Sequence, residues 1–238
     1  MTPHESVVPA TGWAVLHLFC RAAVAVDTEA VVSAVKAAQA GDHQVVSFAV
    51  LGHKADVGFL AIGPDLWRLR SLQTALVSAG LVVADSYVSL TEVSEYAQGM
   101  PAELLAPRLY PTLPPAGMAA ICFYPMSKRR AEGHNWYALP YEDRARLMNE
   151  HGMSGRAFKG RVSQLVTGST GVDDFEWGVT LFGVHPDDLK ECVHKMRFDE
   201  ASSHYAEFGP FTTGMVAPIE EVLAAVTPTG YVETSPPR

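Results

Sequence analysis

The chain has 238 residues, 48% of them apolar, enough for a buried core without disulfide support. Acids outnumber bases 26 to 18, and the formal charge of -8 argues against a protein that works by presenting a basic face to nucleic acid. No apolar run reaches the roughly 20 residues of a membrane span, and the start MTPHESVVPATGW has neither the basic nor the apolar stretch of a secretion signal. A cytoplasmic protein is expected, and Cys20, Cys122 and Cys192, far apart and outside any CxxC spacing, read as buried thiols.

Residues 13–20, WAVLHLFC, read as a buried strand, and the alanine-rich run from Glu29 as a helix with apolar positions three and four apart. QVVSFAVLG and VGFLAIG, separated by HKAD, form an expected antiparallel hairpin. Pro64 and Asp65 open the next helix and Gly80 closes it, before the strand LVVADSYVSLTEVSEY. After the proline-rich PRLYPTLPPAGM the order returns: strand AAICFYPM, a helix from Pro140, strands GRVSQLVTG and DDFEWGVTLFGV, helix PDDLKECVHKMRFDEAS and strand YAEFGPFTTGMV.

This is β-α-β-β-α-β twice, an α+β chain of two tandem ferredoxin-like subdomains, expected at 12–100 and 118–220 with a linker at 101–117. The repeat is one of element order, since the halves share no evident sequence identity. Two such sheets can bury their helix-free faces against each other, forming a barrel or sandwich able to hold a flat ligand. The tail TPTGYVETSPPR has no apolar period and reads as frayed surface.

Several residues invite two readings. The helix YEDRARLMNEHG places Arg144, Leu147, Met148 and His151 on one face, with Gly152 as its expected stop and His151 in the last turn. An imidazole there complements the negative helix end, sits satisfied in the core, or serves as an axial iron ligand. Tyr124 is either a core phenol or, because Pro125 should end or bulge the strand, a side chain turned toward a cavity. Lys128, Arg129 and Arg130 are either a solvated charge run or a clamp for carboxylates. GSTGVDDFEWG lacks the Lys-Ser/Thr ending of a phosphate loop and reads as a hairpin loop, with Asp173, Asp174 and Glu176 only a weak hard-metal pattern. In KMRFDEAS, Arg197 and Glu200 have the spacing of an ordinary helix-surface pair.

The segments FYPMSKRR, NWYALP, EHGMSGRAFKGRVSQLVTGSTGVDDFEWGVTLF and MRFDEASSHYAEFGPF strongly resemble the coproheme decarboxylases of the chlorite dismutase-like haem protein superfamily. The match is dense over residues 108–216 and looser over 12–107, where GHKAD and SYVSLTEVSEY carry it. The resemblance implies a dimeric α+β barrel within one chain, a homopentamer, and a hydrogen peroxide-dependent conversion of iron coproporphyrin III to haem b by two oxidative decarboxylations. It further implies His151 as axial ligand of the iron, Tyr124 as the radical-forming residue, Met126 and Lys128 beside the reacting propionate, and Gln164 on the distal side. Arg108, Arg197 and Ser202, together with Lys128, match groups that hold propionates.

The family pattern is departed from in TLPPAGMAA, about two residues longer than expected, an increment that loops tolerate. Tyr87 or Ser89 is left as a candidate propionate contact from the first half, and Tyr137 as a competing redox tyrosine with a structural role favoured. A chlorite dismutase-type enzyme and a noncatalytic haem carrier or sensor are the rival readings. A ferrochelatase is a candidate transient partner that would deliver substrate.

Overall fold

The structure, a computed structural model, describes residues 5–23, 25–97, 99 and 101–227. In its first half, β1 (Ala14–Ala22), α1 (Thr28–Ala38), β2 (Gln44–Val50), β3 (Val57–Gly63), α2 (Leu66–Ser78) and β4 (Leu81–Thr91) follow the expected order. Both helices begin at an aspartate: Asp27 accepts the Ala30 N–H at 2.9 Å and Asp65 accepts the Trp67 N–H at 3.0 Å, satisfying donors that a helix start leaves open. From there α1 lays Val31 and Val35 on the sheet, and α2 lays Leu69, Leu72 and Leu76, in one continuous core with Leu16, Leu18, Phe59 and Leu81.

A 3-10 turn (Glu95–Ala97) and α3 (Ala102–Leu109) lead to the second half. There the order is β5 (Ala120–Lys128), a ribbon of β6 (Arg130–Ala131) and β7 (His134–Asn135), a 3-10 turn (Trp136–Ala138), α4 (Tyr141–Arg156), β8 (Val162–Gly168) and β9 (Trp177–Gly183). It ends with α5 (Pro186–Met196), α6 (Glu200–Ser203), β10 (Ala206–Phe208), β11 (Thr212–Val216) and α7 (Ile219–Val226).

The element order differs from the expected one at four points. The stretch read as linker contains α3. The run 186–202 is two helices, because Arg197 caps α5 and Asp199 starts α6. The last strand divides into β10 and β11, and α7, not anticipated, buries Ile219, Val222 and Leu223 in the first-half core. From residue 228 onward the tail read as frayed lies outside the described residues.

The nine strands are ordered β10-β5-β11-β2-β3-β1-β4-β8-β9, and β5 also pairs with β9, which joins the ends into a ring. The first-half strands lie as β2-β3-β1-β4 and the second-half strands as β11-β5-β9-β8. The halves meet at two short seams, Gly214↔Val50 to Val216↔Phe48 at one and only Leu90↔Gly168 and Thr91↔Thr167 at the other.

Alternate side chains point into the ring. Val15, Phe19, Phe48, Phe123, Leu165 and Phe182 fill it, and the rings of Tyr87 and Phe123 lie so close to Gly178 that no Cβ would fit there. His17 is buried among them with its ring centroid 4.1 Å from that of Phe123 and Nε2 2.8 Å from Thr180 Oγ1. Burial lowers its pKa to about 3 and so keeps it neutral. No helix among the described residues is long and apolar enough to cross a membrane.

Candidate functional site

Strand alternation divides β5 between two environments. Ile121 and Phe123 enter the ring, whereas Cys122, Tyr124 and Met126 face outward toward the helices. Register extends that outer face across β9 and β8: Tyr124, Val179 and Val166 form one row, and Cys122, Leu181 and Gln164 the next. Tyr124 is buried, stacked on Phe211 at 4.4 Å, and burial raises its phenol above the ordinary value. Among the described residues none hydrogen-bonds its hydroxyl. Phe211 also lines a cavity of about 440 Å³ with Cys122, Leu181, Leu189, Val193 and Arg197.

Pro125 neither ends nor bulges the strand. The register with β9 runs unbroken from Ala120 to Met126, and the Pro125 carbonyl accepts the Gly209 N–H at 2.8 Å. The strand therefore carries on to Lys128, which is only 8% exposed. The Lys128 ammonium donates to the Ala201 carbonyl at 3.2 Å and lies 4.1 Å from the centre of the Trp136 ring. Burial lowers its pKa to about 8, against the pull of the nearby Asp199 and Glu176 carboxylates. Arg129 turns outward to Glu207 at 3.4 Å and the His204 carbonyl at 3.1 Å, and Arg130 is exposed.

His151 lies on α4 but not in its last turn. The helix continues through Gly152 to Arg156, and it is Gly160, at φ 84°, that takes the left-handed conformation of a chain reversal. His151 Nδ1 is 2.9 Å from Asp199 Oδ2, and Ser202 reaches the same nitrogen with Oγ at 3.4 Å. Asp199 Oδ1 accepts the Ser202 N–H at 2.9 Å and so caps α6. Burial pushes the Asp199 carboxyl up, but the His151 and Ser202 bonds outweigh it and leave the group below its ordinary value. With Nδ1 occupied as a donor to the carboxylate, the Nε2 lone pair is the one presented outward from a side chain 29% exposed.

α4 packs on α5, α6 and the 3-10 turn at Glu95–Ala97 and buries only Leu147. Standing off β8, it leaves Gln164 and Val166 exposed on the sheet's outer face. This donor set fits a metal that arrives already held in a macrocycle, because it offers one oriented imidazole. Among the described residues no three His, Cys, Asp or Glu side chains gather for a bare ion, and that includes Asp173, Asp174 and Glu176.

The remaining expected residues are more scattered. Arg197 does not pair with Glu200; its guanidinium stacks over Phe208 at 4.5 Å, while Glu200 meets Arg146 at 3.5 Å. The buried Ser202 hydroxyl is placed at His151 rather than at an open pocket edge. Arg108 is exposed on α3, with no partner among the described residues. Tyr87 and Ser89 turn into the ring, to Ser169 and Thr167, and cannot reach the outer face. Tyr137 is half exposed with its phenol raised by burial and by Glu176, and Trp136 beside it is buried. The sequence reading missed Asp199, Glu176 and Trp136 as members of the site. The first had a signal: an aspartate just before EASS is a helix-start pattern.

A family model described as Chlorite dismutase matches residues 21–217. A coproheme decarboxylase of Staphylococcus carnosus (strain TM300) is 44% identical over 190 residues, 76% of this chain and 75% of that protein. Among solved structures, a heme-binding protein from Thermus thermophilus superposes with a TM-score of 0.78 at 35% identity, covering 93% of this chain and 99% of that one. Chlorite dismutase from Candidatus Nitrospira defluvii gives 0.72 at 20% identity, covering 92% and 97%, a likeness of fold.

Proposed function

The chain belongs to the chlorite dismutase family, and on that premise we propose that it is a coproheme decarboxylase, converting iron coproporphyrin III to haem b with hydrogen peroxide as oxidant. The observation that carries the reading is the shared outer face of β5, β9 and β8, with Tyr124, Met126 and Gln164 facing the same way beneath a helix that stands off and bears His151.

The porphyrin iron, when bound, supplies the oxidising chemistry driven by peroxide. His151 Nε2 would hold that iron, with Asp199 and Ser202 fixing the imidazole's tautomer and angle through Nδ1. Tyr124 gives up its phenolic hydrogen atom and recovers one from the propionate β-carbon. Its burial, which raises the phenol's pKa, keeps that hydrogen in place at neutral pH. For each vinyl group, a propionate carboxylate, one peroxide and one proton become carbon dioxide and two waters, so a proton must be delivered. Lys128, with a pKa of about 8, is suited to hold and release it. Arg197 and Lys128 balance propionate charge whose burial unpaired costs several kcal/mol per group. Arg108 is the more distant contributor, and Met126 shapes the pocket beside Tyr124.

Gln164 sets this reading against chlorite decomposition, because an uncharged amide gives a departing hypochlorite no ionic support. We divide the chain into subdomains at 12–100 and 118–220, with residues 101–117, α3 included, between them. A cytoplasmic homopentamer that receives substrate from a ferrochelatase completes the proposal.

The test mixes the protein with iron coproporphyrin III and hydrogen peroxide and follows the loss of two carboxyl groups by chromatography and mass spectrometry. Wild type should accumulate haem b, and Tyr124→Phe should bind coproheme but turn it over at least about a hundredfold more slowly. Undiminished haem b from Tyr124→Phe would overturn the relay. Oxygen release from chlorite without decarboxylation would favour the rival.

A further inference from the structure

A buried carboxylate that neither the expected site nor the fold requires sits beside Lys128. Glu176 is 6% exposed and bonds three successive residues at the end of β5. Its own N–H donates to the Met126 carbonyl at 3.1 Å and to Ser127 Oγ at 3.2 Å, while its Oε2 accepts the Lys128 main-chain N–H at 2.7 Å. Only the last of these bonds uses the side chain, and a neutral acceptor would make it without the cost of burying a charge.

The carboxylate faces both Lys128 and the Tyr137 hydroxyl. Around Lys128, the turn at Trp136–Ala138 offers the Trp136 ring, α6 offers the Ala201 carbonyl, and the segment before α6 offers Asp199. On β10, Ala206 is the register partner of Lys128, and Glu207 turns away to Arg129. Asp199 is already engaged by His151 Nδ1 and the Ser202 N–H. Asp199 exerts the larger pull on the lysine and Glu176 the smaller, and Glu176 is the one bonded to the lysine's own main chain.

We infer that Glu176 is a positioning residue for Lys128, pinning the strand from which the lysine departs and adding to Asp199 a second buried negative charge that keeps its amino group a proton donor. The inference rests on the reading of Lys128 as the group that delivers a proton during decarboxylation. It explains why a lysine so buried should stay charged at neutral pH, where an unsupported one sheds its proton.

The experiment titrates the ligand-free full chain labelled at lysine Cε and Nζ, with Lys128→Met identifying the resonance and Glu176→Gln and Glu176→Asp as the variants. The wild-type midpoint is expected at about 8. Glu176→Gln should lower it by about one pH unit, a tenfold loss of proton affinity. Glu176→Asp, which keeps the charge but draws it back, should lower it less. Mere loosening of the strand would admit water and move the midpoint the other way, toward 10.5. A rise, or no change in either variant, overturns the inference, and Glu176→Asp decides it alone if the Gln protein does not fold. The alkaline limb of kcat with coproheme and peroxide should move with the midpoint. A midpoint that moves without that limb leaves Glu176 in its role and removes Lys128 from proton delivery.

Discussion

The two halves repeat one element order and use it for opposite ends. In the first, α1 and α2 lie flat on their strands, and residues from every layer join a single apolar core. In the second, α4 touches other helices instead of the sheet, and the apolar contacts break into three smaller clusters around Tyr124, Trp136 and Phe158. Buried Lys128, Glu176 and Asp199 stand between them. The difference teaches that the second half withholds packing: α4 buries one residue, and the outer face of β8 keeps Gln164 and Val166 exposed.

Substitutions can break or sharpen that contrast. Leu76→Ala, in the continuous core, should cost about 4 kcal/mol in urea unfolding, against about 2 kcal/mol for Leu147→Ala, whose small cluster can relax. Equal losses would mean that the halves are packed alike. A smaller effect separates the ring interior from the outer face. The His17 pKa lies far below its ordinary 6.5, so its contribution to stability is complete above pH 6.5 and is lost as the pH falls toward 3. By about pH 5 that loss is about 2 kcal/mol, and His17→Leu should remove one proton's worth of the slope in stability against pH. Least of all, Arg146→Ala should change stability by under about 0.5 kcal/mol, since its pair with Glu200 on α6 is exposed on both sides.

What could be read from the sequence follows the range of the interactions involved. Asp65 announced its helix because a cap bonds within three residues. The β-branched and aromatic runs QVVSFAVLG and VGFLAIG announced β2 and β3, again from neighbouring residues alone. Gly152 misled because glycine stops a helix only when the chain needs a left-handed turn, and that need fell on Gly160. The identities of Tyr124, His151, Gln164 and Lys128 could be picked out through the family resemblance. Their support could not: Asp199 meets His151 across 48 residues, and Glu176 meets Lys128 across the same separation. Such pairs are created by the fold and leave no local spacing to find. The Arg197–Glu200 spacing misled because one helix was drawn where the chain makes two.

The narrow seams between the halves have a mechanical consequence. Nearly all of the ladder lies inside one half or the other, so the ring can dilate where β4 leaves β8 while each sheet keeps its own bonds. The amides of the two residue pairs at that seam should therefore exchange with solvent sooner than those of the long β1–β3 ladder.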